Sequence, residues 1–275
     1  MLVTDKKKKT VKFLSVFEIR ESWFSLFFKE GYSFISSSSL VPSEDNSLLF
    51  INSGVSALKK YFRNSYSLPS RNLVNCQLAV RLSDIDRISN WDSWHQTMFE
   101  MLGSFSIGGN FKKEVIPLVW KWLVSDKWLN LEERFLFVTV WKEDRESYEI
   151  WRRLLLSFPH NIFLGSREEN FWDMGDGPCG PNTEIYYGLG ISLGHSTFFP
   201  NSVSDLDNKN FVEIGNIVFP EFDHKEQGYE SLLEKCVDIG MGLERIAMIK
   251  QKKRNIFSID LWQPIVKEIK KAMIS

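Results

Sequence analysis

The sequence has few cysteines and no long apolar run. Its three cysteines, Cys76, Cys179 and Cys236, lie far apart without a CxxC pair, so they predict neither a disulfide framework nor a thiolate metal motif. No stretch reaches the roughly 18 apolar residues of a membrane-spanning helix. The lysines near the N-terminus precede no apolar segment of the kind that a secretory signal contains. We therefore expect a cytoplasmic protein with no membrane partner, and an organelle or reduced-genome source stays open.

A strong net charge is also absent. The chain has 34 Lys and Arg against 35 Asp and Glu among 275 residues. A protein that coats nucleic acid carries a large basic excess, whereas one that touches it with part of its surface needs only local basic patches. The basic patch formed by Lys250, Lys252, Lys253 and Arg254 is one candidate. A single patch of this kind is more often a solvated surface.

Large apolar side chains are abundant, with 10 Trp and 22 Phe. Apolar spacing predicts helices over residues 16–29, 56–62, 111–124, 144–156, 243–250 and 259–273. It predicts strands over residues 73–80, 98–107, 133–140, 183–187, 211–219 and 236–239. Because the strands are separated by long loops and helices without βαβ spacing, we expect an α+β fold with a mainly antiparallel sheet.

The string VDIGMGLERI at residues 237–246 is the most specific motif. Gly240 and Gly242 let a strand turn tightly into a helix, so Arg245 emerges on the first turns of that helix. A planar guanidinium there can stack on adenine and hold a phosphate. The string resembles the third signature motif of class II aminoacyl-tRNA synthetases, in the form of the alanyl family. A Gly-Met-Gly turn alone would more often be structural.

A second string, HQTMFEMLGSFSIG at residues 95–108, resembles the strand that closes the second motif of that family. The resemblance implies that Phe99 stacks on the adenine of ATP; without its neighbours, Phe99 would be read as core. Glu100 and, in the preceding loop, Arg81 and Asp84 are expected in the same ATP site. Leu78 stands where the family has a phosphate-binding arginine, and Arg81 is expected to supply that contact.

Two further strings resemble the amino-acid site of alanyl-tRNA synthetases. They are NFWDMGDGPCGP at residues 170–181 and EIGNIVF at residues 213–219. The resemblance assigns four residues to alanine: Trp172, Asn216, Asp238 and Gly240. A carboxylate suits the ammonium group of alanine through a charge-assisted hydrogen bond, an amide can donate to its polar end, and an indole can close the pocket near the methyl group.

The resemblance covers residues 12–275 and implies the class II catalytic fold, with six mainly antiparallel strands flanked by helices. It implies ATP and Mg²⁺ as cofactors, with no zinc, and alanine and tRNA(Ala) as partners. We expect a charged tail at residues 1–11, an aminoacylation domain at 12–250, and a helical segment at 251–275 that is a candidate start of a tRNA-recognition domain. A monomer is expected, with Arg81 and Arg245 as the catalytic residues.

Two functions remain open at this point. The first is an alanine–tRNA ligase without an editing domain, either as a natural minimal form or as a fragment. The alternative is a catalytically weak or inactive synthetase-like protein that binds tRNA, an amino acid or a partner. Leu78 favours the alternative, whereas the retained set of Trp172, Asn216, Asp238 and Arg245 favours the enzyme.

Overall fold

The computed structural model describes residues 13–42, 48–56, 58, 61, 68–89, 93–173, 175 and 177–274. The predicted tail at residues 1–11 and most of the helix predicted at 56–62 lie outside these ranges. Among the described residues, no helix has both the length and the apolar character needed to cross a membrane.

Eleven strands occur in the described part of the chain. They are β1 Ser33–Phe34, β2 Asn72–Val80, β3 Met98–Ile107, β4 Leu136–Trp141, β5 Ile162–Gly165, β6 Phe171–Trp172, β7 Gly177–Tyr187, β8 Val212–Val218, β9 Phe222–Lys225, β10 Gly228–Ser231 and β11 Cys236–Gly242. The main sheet has the order β1-β2-β3-β11-β8-β7-β4-β5, and β6, β9 and β10 are attached through β7.

The sheet confirms the α+β class but corrects the number of strands. The six central strands, from β2 to β4 in the sheet order, pair antiparallel. The two outer pairs, β1 with β2 and β4 with β5, are parallel. The sheet is therefore mixed and larger than predicted, because its added strands of two to four residues are too short to show an alternating pattern in sequence.

Eight α-helices occur in the described part of the chain. They are α1 Val16–Lys29, α2 Ile85–Ser89, α3 Lys112–Val124, α4 Arg145–Leu154, α5 Arg167–Asn170, α6 Leu189–Ser192, α7 Leu243–Lys250 and α8 Gln263–Ile274. Helix α1 has the predicted bounds. It begins at a capping box in which the Ser15 hydroxyl accepts from the Glu18 amide at 3.2 Å, and Gly31 follows its end with a φ of +81°.

The main core lies between the sheet and helices α1, α3 and α7. The Trp23 and Trp122 rings meet edge to face at 4.7 Å, and the Trp23 indole donates to the Gly103 carbonyl of β3 at 3.2 Å. Along β11, Val237, Ile239 and Met241 are buried, whereas the residues between them are only partly buried. This alternation turns every second residue of the strand towards the open face of the sheet.

The segment after α7 packs against the main core. Ile256 and Ile259 belong to the main core, so the chain beyond residue 250 continues the same packed unit before α8 begins at Gln263. The Gln251 amide donates to Asp260 at 2.6 Å, and Asp260 also accepts from the Val16 amide at 3.1 Å. The first residues of α1 are therefore fastened to this segment.

A buried ion network joins α3 to α4 and to the segment before β9. The Lys112 ammonium lies 3.0 Å from Asp144 and 2.6 Å from Glu221, and its side chain is 5% exposed. Replacing Lys112 with methionine leaves the buried Asp144 carboxylate without its cation, while Glu221 keeps its pair with Lys235 at 3.0 Å. We therefore expect a loss of about 3–5 kcal/mol in the free energy of unfolding, measured by urea denaturation.

The next residue provides the control for that prediction. Lys113 is 75% exposed and forms a loose pair with Glu146 at 3.7 Å. Its replacement with methionine is expected to cost at most about 1 kcal/mol, because exposed pairs are screened by water. Equal losses for the two variants would show that the Lys112 network is no more important than a surface pair.

Candidate active site

One cavity of about 200 Å³ opens on the face of the sheet where β3, β11 and β8 lie side by side. We call it the central cavity. Its lining includes all the predicted ATP and alanine residues except Glu100, namely Arg81, Asp84, Phe99, Trp172, Asn216, Asp238, Gly240, Gly242 and Arg245. Residues that lie up to 164 positions apart in sequence therefore meet in one place.

Asp238 and Asn216 come from neighbouring strands. Gly240 of β11 pairs with Asn216 of β8, two residues from Asp238. The Asp238 carboxylate has no hydrogen bond or ion pair with any described residue. Burial raises the pKa of Asp238 to about 7, although the charge of Arg81 opposes that rise. The Asn216 side-chain oxygen accepts from the Asn182 amide at 3.0 Å, which leaves the Asn216 amide hydrogens as donors.

Arg81 enters the central cavity directly after β2. Its Nε donates to the Asn52 carbonyl at 2.9 Å, and its guanidinium lies 5.2 Å from the centre of the Phe99 ring. Burial lowers the pKa of Arg81, with nearby carboxylates such as Glu213 acting in the opposite direction. Leu78 instead pairs with Glu100 in the β2–β3 ladder and is absent from the described lining.

Arg245 projects from the first turn of α7. Its Nη1 donates to the Glu213 carbonyl at 2.7 Å and lies 3.4 Å from the Glu213 carboxylate. A β-carbon on Gly240 would lie 2.8 Å from the Met101 sulfur, so a larger residue at this position would displace the Met101 side chain. Gly240 and Gly242 of β11 thus expose backbone to the central cavity, and Arg81 and Arg245 add positive charge to its lining.

Two predicted contacts are not supported by the geometry. The Glu100 carboxylate is held by Arg20 of α1, with Nη2 at 2.6 Å and Nε at 3.0 Å, and Glu100 does not line the described part of the central cavity. Lys250 is 1% exposed and its ammonium donates to the Leu129 carbonyl. Lys250 must therefore be removed from the predicted tRNA patch, because it lies on the inner face of α7.

The remaining members of that patch keep access to solvent. Lys252 and Arg254 are exposed, and Lys253 is half-buried. They follow the C-terminal end of α7 directly. All three remain predicted contacts to tRNA.

Sequence reasoning missed several residues of the lining. Glu244 is buried and accepts from the Glu100 amide at 2.9 Å, and burial raises the pKa of Glu244 to about 7. Gln96 is also buried, and neither polar atom of its side chain has a partner. Gln96 lies within one of the quoted strings, but no property of the sequence separates it from its neighbours.

A second cavity of about 410 Å³ opens beside the first and shares Trp94, Glu213 and Arg245 with it. We call it the side cavity. Cationic or titratable groups from separate segments, Arg87, His95 and Lys209, also line it. The two cavities are therefore adjacent, separated by these shared residues.

Comparison with known proteins gives the family. The family model of the tRNA synthetases class II (A) matches residues 18–274. The chain belongs to this family. It is 42% identical over 94% of its length to a protein named alanine–tRNA ligase from Mycoplasma mycoides, and 43% identical over 94% to the one from Mesoplasma florum.

The chain covers 29% of the length of each of these two relatives. Among solved structures, the apo histidyl-tRNA synthetase of S. aureus has a TM-score of 0.49 and 12% identity, covering 94% of this chain and 73% of that one. This is the family whose motifs the strings at residues 95–108 and 237–246 resemble.

In this class II synthetase, the position of Trp172 depends on strand pairing and on the contacts of the next residue. Its indole has no hydrogen bond or ring contact with a described residue, so its position depends on the backbone. On one side, β6 pairs Trp172 with Gly180 of β7. On the other, the Asp173 carboxylate accepts from His224 Nδ1 at 2.8 Å, from the Tyr229 hydroxyl at 2.6 Å and from the Gly175 amide at 2.9 Å.

We call Asp173, His224 and Tyr229 the Asp173 cluster. Burial would raise the pKa of Asp173, but the hydrogen bonds from Tyr229 and His224 outweigh it and lower the pKa to about 2. The two donors belong to β9 and to β10, which form a hairpin. This hairpin therefore fixes the residue next to Trp172.

Proposed function

We propose that the chain is the aminoacylation part of an alanine–tRNA ligase, which joins alanine to ATP as alanyl-adenylate and passes the alanyl group to tRNA(Ala). The observation that carries the proposal is the Asp238 carboxylate, which has no hydrogen bond or ion pair with the described residues and lines one cavity with Trp172, Asn216 and two arginines. Relatives at 42–43% identity that are named alanine–tRNA ligases support it.

Alanine fits the part of the central cavity near β8 and β11. The Asp238 carboxylate accepts from the ammonium group, which compensates the cost of burying that carboxylate. The Asn216 amide donates to the polar end of the amino acid. Trp172 closes the space beside the methyl group, so that larger side chains meet the indole.

ATP fits the part of the central cavity near the start of α7. Phe99 supplies an aromatic face for adenine, and Arg81 and Arg245 supply positive charge for the phosphates. A carboxylate oxygen of alanine attacks the α-phosphorus, the bond to the β-phosphate oxygen breaks, and pyrophosphate leaves. The arginines orient the phosphates and stabilise the charge that develops on them.

Mg²⁺ fits this site through Glu213. Mg²⁺ is usually bound by one or two carboxylates together with the phosphates of its substrate. Glu213 lines both cavities, and its charge together with burial raises the pKa of the neighbouring Glu184, so a cation there would relieve repulsion. When bound, Mg²⁺ would neutralise phosphate charge. Within the described ranges, no three His, Cys, Asp or Glu side chains converge on a metal site.

The tRNA approaches from the direction of the side cavity. Arg87 and Lys209 there, and Lys252 and Arg254 beyond α7, carry positive charge suited to a phosphate backbone. The 3′ end must reach the alanyl group in the central cavity, and the side cavity adjoins it at Trp94, Glu213 and Arg245. That the chain acts as a monomer remains a prediction.

The test of this function is ATP–pyrophosphate exchange on the purified chain with alanine, serine, glycine or no amino acid. We expect exchange that depends on alanine, followed by charging of tRNA(Ala). Folded protein that binds ATP but supports no exchange with any amino acid would contradict the proposal and favour the non-catalytic alternative.

The hairpin that carries the Asp173 cluster is expected to affect the affinity for alanine. In Tyr229→Phe, Asp173 loses one of its three donors and the backbone at Trp172 is less well fixed. A hydrogen bond to a charged group contributes about 1.5–3 kcal/mol. Since part of this energy holds the backbone at Trp172 in place, we expect the KM for alanine to rise roughly three- to tenfold, with kcat unchanged within about twofold. Exchange kinetics measure both values.

Glu230→Gln is the control on the same hairpin. Glu230 forms an exposed ion pair with Lys225 and does not touch Asp173. We expect it to leave the KM for alanine unchanged. If Tyr229→Phe behaves in the same way as Glu230→Gln, the cluster does not position Trp172.

The affinity for alanine is expected to fall about tenfold from pH 8 to pH 6. The ionised form of Asp238 binds the ammonium group, and its pKa near 7 in the free protein means that the carboxyl becomes mostly protonated as the pH falls through this range. Titration calorimetry with alanine across this range measures the dependence. Asp238→Asn should bind weakly with no such slope, and a flat profile in the unmodified chain would contradict the assignment.

A further inference from the structure

Gln96 has an unusual environment. It is 6% exposed, and both its side-chain oxygen and its side-chain nitrogen lack a hydrogen-bond partner. Among the described residues, no other side chain has two such atoms. The single unpaired atoms belong to Asn75, Ser104, Ser106, Trp128, Trp141, Asn170 and Trp262. None of these residues lines the central cavity in the described part of the chain, whereas Gln96 does.

A buried amide without partners is rare in folded proteins and calls for an explanation. The contrast with Gln77 makes this clear, because Gln77 is also buried but its amide donates to Ser38 and Leu78 carbonyls at 2.9 and 2.8 Å and accepts from the Ser38 amide at 2.8 Å. Gln96 is one of the residues that line the central cavity, so a ligand bound in that cavity is a candidate partner for its amide.

Strand register places Gln96 at the end of the cavity away from Asp238. Asp238 of β11 lies opposite Phe105 of β3, and Gly242 lies opposite Met101. Moving from Asp238 to Gly242 therefore runs towards the beginning of β3, and Gln96 precedes that beginning. The group that meets Gln96 belongs to the nucleotide, not to the amino acid.

The chemistry of an amide matches the adenine base. A glutamine side chain offers a donor and an acceptor side by side, and adenine offers a 6-amino donor beside a ring-nitrogen acceptor. We propose that Gln96 recognises the adenine of ATP through a pair of hydrogen bonds, its Nε2 donating to the ring nitrogen N7 and its Oε1 accepting from the 6-amino group. This inference rests on the proposed ATP site beside Phe99.

The test compares the binding of ATP and ITP, without any amino acid, to the unmodified chain and to Gln96→Leu by titration calorimetry. ITP carries an acceptor oxygen in place of the 6-amino donor, so the edge formed by that oxygen and N7 offers two acceptors and cannot form the pair. We expect Gln96→Leu to bind ATP at least about tenfold more weakly and ITP within about threefold, so that the preference for ATP is largely lost. An ATP-to-ITP preference that is the same in both proteins would overturn the inference.

Stability separates this effect from damage to the fold. Because the Gln96 amide is unpaired, Gln96→Leu is expected to keep or raise the melting temperature. Gln77→Leu is the matched control: it removes paired hydrogen bonds, so we expect it to lower the melting temperature and to leave the preference for ATP over ITP unchanged. If Gln77→Leu loses the same preference as Gln96→Leu, the effect belongs to general packing and the inference fails.

The test of Gln96 can be told apart from the test of alanine as the substrate. ATP binding with a Gln96-dependent preference but no exchange with alanine would support the inference and contradict the proposed function. Exchange with alanine and an unchanged preference in Gln96→Leu would do the opposite. A folded chain that binds no ATP would overturn both.

Discussion

Asp238→Asn is expected to lower kcat/KM for alanine in ATP–pyrophosphate exchange about 100-fold at pH 8, with the affinity for ATP unchanged within about twofold. The substitution keeps the shape of the side chain but replaces the ionised acceptor of the ammonium group with a neutral amide. A charge-assisted hydrogen bond contributes about 1.5–3 kcal/mol, and about 2.7 kcal/mol corresponds to 100-fold. Steady-state exchange and ATP titration measure the two effects.

The same substitution is expected to lower activity without lowering the stability of the fold. Burial penalises the charge on Asp238, and no described residue forms an ion pair with it. A neutral amide avoids that penalty, so the free energy of unfolding of Asp238→Asn is expected to be equal to or greater than that of the unmodified chain. A variant that is both less active and less stable would indicate damage to the fold and would contradict the assigned role.

The parts of the fold and site that the sequence predicted well have strong local patterns. The bounds of α1 and α7 agree with apolar spacing and with flanking glycines. The alternation of buried residues in β11 follows from the pattern of the string at residues 237–246, and it places Asp238 and Gly240 on the face that forms the cavity. Local sequence decides these features, so sequence alone could predict them.

Lys250 shows an error that the sequence itself could have prevented. It was grouped with basic neighbours along the chain, but within α7 it lies three and four positions after Ala247 and Ile246, both buried. Helical periodicity therefore places Lys250 on the inner face. A charge cluster in sequence becomes a surface patch only if the helix period turns its members in the same direction.

Other features depend on contacts between distant segments. The hairpin formed by β9 and β10 has few apolar residues, and its strands hold because β9 pairs with β7 while Asp173 binds His224 and Tyr229. Glu100 belongs to a matching string, yet Arg20 from α1 occupies its carboxylate. Neither the hairpin nor this ion pair leaves a local pattern, so sequence could not predict them.

Arg81→Ala is expected to lower kcat for exchange about 100- to 1,000-fold while the KM for alanine changes by less than about threefold. The guanidinium is fixed by its bond to the Asn52 carbonyl, 2.9 Å long, and it lies beside Phe99 in the wall that would face the phosphates. A fixed donor to charge that develops during the reaction is typically responsible for a factor of this size. Rapid-mixing measurement of adenylate formation gives the rate.

Two variants separate this role from a general loss of positive charge. Arg71→Ala removes a cation just before β2, paired with Glu234 at 2.5 Å at the other end of the strand, and is expected to keep exchange within about twofold. Leu78→Arg adds an arginine where the family has one, but Leu78 is not part of the described lining of the central cavity, so we expect no gain in rate. A large gain in Leu78→Arg, or a loss of less than about threefold in Arg81→Ala, would show that Arg81 does not hold the phosphates.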